Sequence, residues 1–255
     1  MGIYFATDID RINNEYMPRL NLEIGRYINY SKLESMLSTQ TLFFCNASRF
    51  DDEYEGEIPL EFFDGWAQQS EENYRRLNEL KSHVYVPYVT CWTPYKTGNT
   101  KMWNEYASDN GVCIVSTVRQ IFMLSRINGA RMYKVHYLDE NEQIGNMDVP
   151  FYIPHDDERA RFGLPSSARV FHAIKKHDFK EENEIRSIIY KNSQEAGLQI
   201  PFNFKGFVSR VVLNPKSNDQ QKEAIIELLN RYSYTTIVPI HGYRTWVPGH
   251  SSSPD

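Results

Sequence analysis

Eight short runs rich in β-branched and aromatic residues recur along this chain: GRYINY at 25–30, TLFFCN at 41–46, HVYVPYVTCW at 83–92, GVCIVST at 111–117, MYKVHYLD at 132–139, IRSIIY at 185–190, GFVSRVVLNPK at 206–216 and TTIVPIHGY at 235–243. Runs of this length and composition, bounded by polar and turn residues, extend as strands. The segments between several of them carry helical spacing instead. Ser31 stands three residues before Glu34, a capping-box arrangement, and Leu33, Met36 and Leu37 follow on one face. Ala224, Ile225, Leu228 and Leu229 line one side of DQQKEAIIELLNRY. RQIFMLSRI and SARVFHAIKK also read as helices. KMWNEYASDN reads as a short one, with Trp103 and Tyr106 on one face and Asn110-Gly111 closing it in the left-handed conformation. Pro87 places its strand at an edge or bulge. We therefore expect an α+β fold: mostly antiparallel sheets around a central cleft, with helices at the periphery.

The organisation follows from where these signals stop. Residues 1–22 form a polar lead-in, 23–247 a single domain, and 248–255 a tail without core residues. Within the domain, residues 139–168 hold Pro150, Pro154, Pro165 and the run HDDER, which reads as a loop insertion. At 255 residues with 41% hydrophobic side chains, the chain buries a sizeable core without staples. Its three cysteines, Cys45, Cys91 and Cys113, lie apart in apolar runs and fit buried thiols in a reducing cytoplasm. A net charge of −5 argues against a dedicated nucleic-acid binder. No run reaches membrane-span length, and the first residues match neither a signal nor a transit peptide.

Two polar constellations stand out. Glu182, Glu184 and Arg186 alternate at the entry to the strand IRSIIY, and residues two apart on a strand share a side. Arg49-Phe50-Asp51-Asp52-Glu53-Tyr54-Glu55 is an acidic loop, in which Asp52 and Glu55 either accept backbone hydrogen bonds in a turn or offer oxygen ligands. The seven histidines form no HExxH or paired spacing, so no metal centre is expected. Walker, GxGxxG and GxSxG motifs do not occur.

The segments GRYINYSKLESMLSTQTLFFCNASRFDDEYEG, YVTCWTPYKTGNTKMWNEYASDNGVCI, FKEENEIRSIIY and VVLNPKSNDQQKEAIIELLNRY, in this order, resemble the domain-of-unknown-function 2971 family of bacteria. The resemblance implies a bacterial protein, with a setting in mobile or phage-defence gene neighbourhoods. The acidic loop departs from the family pattern, with Asp51 and Glu53 where Asn and Pro are usual. A more remote likeness is to ADP-ribosyltransferases and their split sheet, and it implies NAD as substrate.

On that likeness Glu184, with Glu182, is the catalytic acid. Loss of nicotinamide builds positive charge on the ribose, and a fixed carboxylate that holds the 2′-hydroxyl stabilises it. Arg26, Tyr27, Thr93, Trp103, Tyr106 and Arg186 are the candidate dinucleotide-binding residues, and the acceptor, whether protein, nucleic acid or small molecule, stays open. Each has a structural alternative: Glu184 and Arg186 in an ion pair with Arg26 or Asp52, the rings in the core. Two further readings stay open, a non-catalytic binding module and a metal-dependent nuclease using Asp52, Glu55, Glu182 and Glu184.

Overall fold

A computed structural model describes residues 18–50, 86–108, 110–138, 172–234, 236–240 and 243–247, and six positions between 68 and 78. Asp52, Glu55 and the expected insertion at 139–168 lie outside the described residues, as do most of the lead-in and the tail. The fold is α+β, and its strands pair mostly antiparallel. The chain divides into two compact units. The first comprises residues 1–18, 44–91 and 125–198, the second 19–43, 92–124 and 199–255.

In the first unit, β2 (Thr41–Asn46) pairs antiparallel with β3 (Val86–Pro94), matching Cys45 to Val89 and Asn46 to Tyr88. β8 (Ile185–Lys191) pairs with β3 and with β5 (Arg131–Lys134), whose Tyr133 lies opposite Arg186. β6 (His136–Leu138) and β7 (Ile174–Lys176) form a separate parallel pair. Ala47, Val89, Tyr133, Ala173 and Ile188 make a buried cluster, and the partly exposed Phe50, Cys91 and Tyr190 pack on it.

The second unit is built on a six-strand ladder. The end of β3 pairs with β1 (Glu23–Ile28), β1 with β4 (Val112–Thr117), β4 with β10 (Arg210–Leu213), β10 with β12 (Tyr243–Val247) and β12 with β11 (Thr236–Ile240). Its helices bury the residues that their spacing predicts, except Ala224, which stays partly exposed. These are Leu33, Met36 and Leu37 on α1 (Tyr30–Thr39), and Ile225, Leu228 and Leu229 on α3 (Asp219–Arg231). Between them in sequence, α2 (Val118–Ile127) buries Val118, Ile121 and Leu124.

Several local expectations need correction. α1 is capped by Asn29, which accepts from the Lys32 amide, and Ser31 instead donates to Asn29. Asn is at least as good a cap as Ser, and starting two residues earlier adds about half a turn. β3 is no edge strand: it pairs with β1, β2 and β8, and Pro87 is accommodated one residue from its start. The end of the SARVFHAIKK segment is strand β7. MYKVHYLD and TTIVPIHGY each open into two strands where one was expected, and β9 (Gly197–Pro201) carried no strong signal.

Candidate functional site

The approach to β8 is a 3-10 turn, His177–Glu182, followed by Asn183 at φ 45. Asparagine tolerates this left-handed conformation better than most residues. Glu182 and Glu184 thus lie outside the strand, and strand alternation does not bring them together. Lys175 on β7 does: its Nζ lies 2.9 Å from Glu182 Oε2 and 3.4 Å from Glu184 Oε2. The same ammonium sits 4.4 Å from the centre of the Phe179 ring, a cation–π contact.

Arg186 shares the side of Glu184, as a spacing of two predicts. It donates from Nε to Glu184 Oε1 at 2.9 Å and from Nη2 to Oε2 at 3.0 Å, a bidentate fork. Its Nη1 donates to the His172 carbonyl at 2.7 Å. The Glu184 amide donates to the Tyr137 hydroxyl at 2.8 Å. Glu182, Glu184, Lys175 and Arg186 are all buried, with Arg186 only 2% exposed. Glu184 is therefore held in a buried ion pair, the structural alternative, with Arg186 and Lys175 as its partners; Asp52 lies outside the described residues.

This packing sets the protonation states. Burial works to raise the Glu184 pKa, but the Arg186 charge and its two bonds, the Lys175 charge and a hydrogen bond with the Cys91 thiol bring it down to about 2. His172 is pushed down to about 3, first by burial and then by the Arg186 charge. Burial raises the Tyr137 hydroxyl well above its usual range, against the bond from the Glu184 amide. At neutral pH Glu184 is therefore ionised and His172 neutral.

The remaining candidates belong to the second unit. Arg26 and Tyr27 are neighbours on β1 and so face opposite sides of the sheet. Tyr27 lies opposite Cys113 and packs edge-to-face on Trp103, with ring centroids 4.8 Å apart, in a cluster with Val115 and Val212. Thr93 lies opposite Gly25 and so shares the Tyr27 face. Arg26 points the other way and donates to the Phe43 carbonyl at 3.4 Å. Trp103 and Tyr106 do not share a helix face. The segment Trp103–Ala107 is a π turn, wider than an α turn, that buries Trp103 and leaves Tyr106 43% exposed. It closes at Ser108, φ 52, rather than at Asn110-Gly111.

Sequence reasoning missed Lys175, His172, Tyr137 and Cys91. Three of these lie in segments without a motif, and Cys91 reads as one more apolar strand residue. Among the described residues no group of three or more His, Cys, Asp or Glu side chains could hold a metal ion, and no helix is long and apolar enough to cross a membrane.

Fold and site define a mostly antiparallel α+β protein with a buried cluster of paired charges. Residues 102–187 match the model of a family described as a protein of unknown function, DUF2971, so the chain is similar to that family over this stretch. The match takes in the Trp103–Ala107 turn, Lys175 and the Glu184–Arg186 pair, and leaves out Arg26 and Thr93. No curated protein and no solved structure matches the chain.

Proposed function

We propose that the chain acts by binding a small ligand, as a non-catalytic module of a bacterial regulatory or phage-defence system. One observation carries the reading: both oxygens of Glu184 are occupied, by the Arg186 fork and by Lys175, at a position 6% exposed. To take a ribose 2′-hydroxyl, this carboxylate would have to release a buried partner. Breaking a buried pair costs about 3–5 kcal/mol, and that cost opposes any stabilisation of the transition state. The test is turnover. Purified protein incubated with NAD is expected to release no nicotinamide above background, and Glu184→Gln is expected to behave identically.

A second reading is NAD-dependent ADP-ribosyl transfer, or NAD consumption by an effector. What favours it is the ionisation of Glu184, held at a pKa of about 2, since a carboxylate that stabilises a ribosyl cation must be charged. Within this reading Glu184 and Glu182 are the acids, and Tyr27 and Thr93 share one sheet face for the dinucleotide. Nicotinamide release that falls at least about a hundredfold in Glu184→Gln, the scale of losing one electrostatic stabiliser, replaces the first reading with this one.

A further inference from the structure

We propose that Trp103–Ser108 is a strained cover on the second unit's sheet, latched by the turn that follows β10, and that it opens as a piece while the sheet beneath it stays folded. The inference goes beyond both functional readings and depends on neither.

The strain sits at one residue. Ser108 ends the π turn at φ 52 and ψ −174. A positive φ with an extended ψ lies close to the region that glycine alone adopts readily, because a Cβ there crowds its own backbone. Such a conformation persists only where the surroundings impose it. The approach to the segment carries no such conflict, since the positive φ there, 78, belongs to Gly98. The turn is also of a rare kind, wider than an α turn, which proteins keep mostly where function requires it.

The groups that impose the conformation can be named. Asn214 is 2% exposed and donates from Nδ2 to the Ser108 carbonyl and from its backbone amide to the Gly111 carbonyl. Its Oδ1 accepts from the Lys216 amide, which fixes the direction of the side chain. Lys216 in turn donates from Nζ to Asn104 Oδ1 at 2.7 Å. The turn at 214–216 thus grips the segment at Asn104 and at Ser108. Beneath, Trp103 packs edge-to-face on Tyr27, and Ala107 joins the same cluster as Cys113, Val115 and Val212. These bonds and the buried indole hold the cover down, and the Ser108 backbone opposes them. The ladder underneath pairs Glu23–Ile28 with Val112–Thr117 and takes no residue from the cover. Lifting the cover therefore breaks fewer interactions than unfolding the sheet, the condition for a local opening. Open, it bares the Tyr27 side of the sheet.

Cys113 reports the opening. It is fully buried in that cluster, and burial pushes its thiol pKa up, so it alkylates only once uncovered. The experiment treats the native full chain with iodoacetamide across low urea, with Cys113 followed separately from Cys45 and Cys91 by peptide mass spectrometry. Cys113 is expected to label with a urea slope well below that of global unfolding, while the amides of β1 and β4 stay protected from hydrogen exchange over the same time. Labelling that shares the slope of global unfolding overturns the proposal. Substitutions then separate strain from latch. Ser108→Gly is expected to label about tenfold more slowly than Ser108→Ala, since both lack the hydroxyl and only glycine relieves the backbone. Equal rates in these two variants overturn the strain. Asn214→Ala is expected to label about tenfold faster than wild type, the equivalent of one lost hydrogen bond. Should it fail to fold, Lys216→Ala, at an exposed position of the same turn, is expected to label faster than wild type. An unchanged rate in the latch variant overturns the latch.

Discussion

Arg186 is the residue on which the first unit's polar interior depends. Its fork satisfies both oxygens of Glu184, and its remaining terminal nitrogen satisfies the His172 carbonyl. Arg186→Ala leaves a buried carboxylate with only Lys175 and the Cys91 thiol beside it. We expect a loss of about 3–5 kcal/mol, measured as a lower urea midpoint at unchanged slope. Glu184→Gln keeps a polar group in place but removes the charge that Arg186 and Lys175 face, and we expect a smaller loss of about 1–3 kcal/mol in the same assay. If the arginine variant proves as stable as wild type, the cluster is not the structural lock described here. Reading Glu184 and Arg186 as partners was possible from a spacing of two. Reading Lys175 as the third member was not, because nothing local ties β7 to the entry of β8.

Among the elements, the π turn and β1 each hold a glycine, or are followed by one, where an added Cβ would collide with its neighbours. A Cβ on Gly111 would stand 2.0 Å from the Ala107 carbonyl oxygen, a backbone atom that cannot step aside. A Cβ on Gly25 would stand 2.7 Å from the sulfur of Cys113 on the adjacent strand, a side chain that can be shortened. The two glycines should therefore differ in rescue. Gly111→Ala is expected to cost about 3 kcal/mol or more, with no single side-chain change restoring it. Gly25→Ala is expected to cost about 1–3 kcal/mol, most of it recovered when Cys113→Ala is added, since contacting sites couple. Thermal melts of the two single variants and the double variant check this, and additive losses in the double would refute the contact. On α3, Asn218 accepts from the Gln221 amide while the Gln221 side chain accepts from the Asn218 amide. Asn218→Ala is expected to cost about 1 kcal/mol, read as a lower melting temperature.

For the whole molecule, the buried cluster predicts how stability changes with pH. His172 has its pKa lowered from 6.5 to about 3 in the fold, so below 6.5 the unfolded chain takes up the proton more readily. Its contribution is complete above 6.5 and is lost as pH falls from there toward 3. Glu184, lowered from 4.5 to about 2, contributes fully above 4.5 and loses its share as pH falls through 2. The stability difference between wild type and His172→Phe should therefore tilt against wild type as pH drops from 6.5 toward 3. A difference that stays flat over that range would show that His172 is not buried and neutral. Much of the architecture was legible in the sequence. The three longer helices, the main strands and the α+β class follow from side-chain period and turn residues, which act within a few positions of one another. The helical face Leu33, Met36, Leu37 and the spacing of Glu184 to Arg186 were read on the same basis. Only the tertiary structure decided that Thr93 lies on the Tyr27 side of the sheet and not on the Arg26 side, that Trp103 is buried while Tyr106 is not, that Lys175 stands beside Glu184 and that His172 accepts from Arg186. A period of two tells which residues share one side of a strand. It does not tell which strand lies alongside or what covers each face, because pairing and burial are settled by competition among segments far apart in the chain.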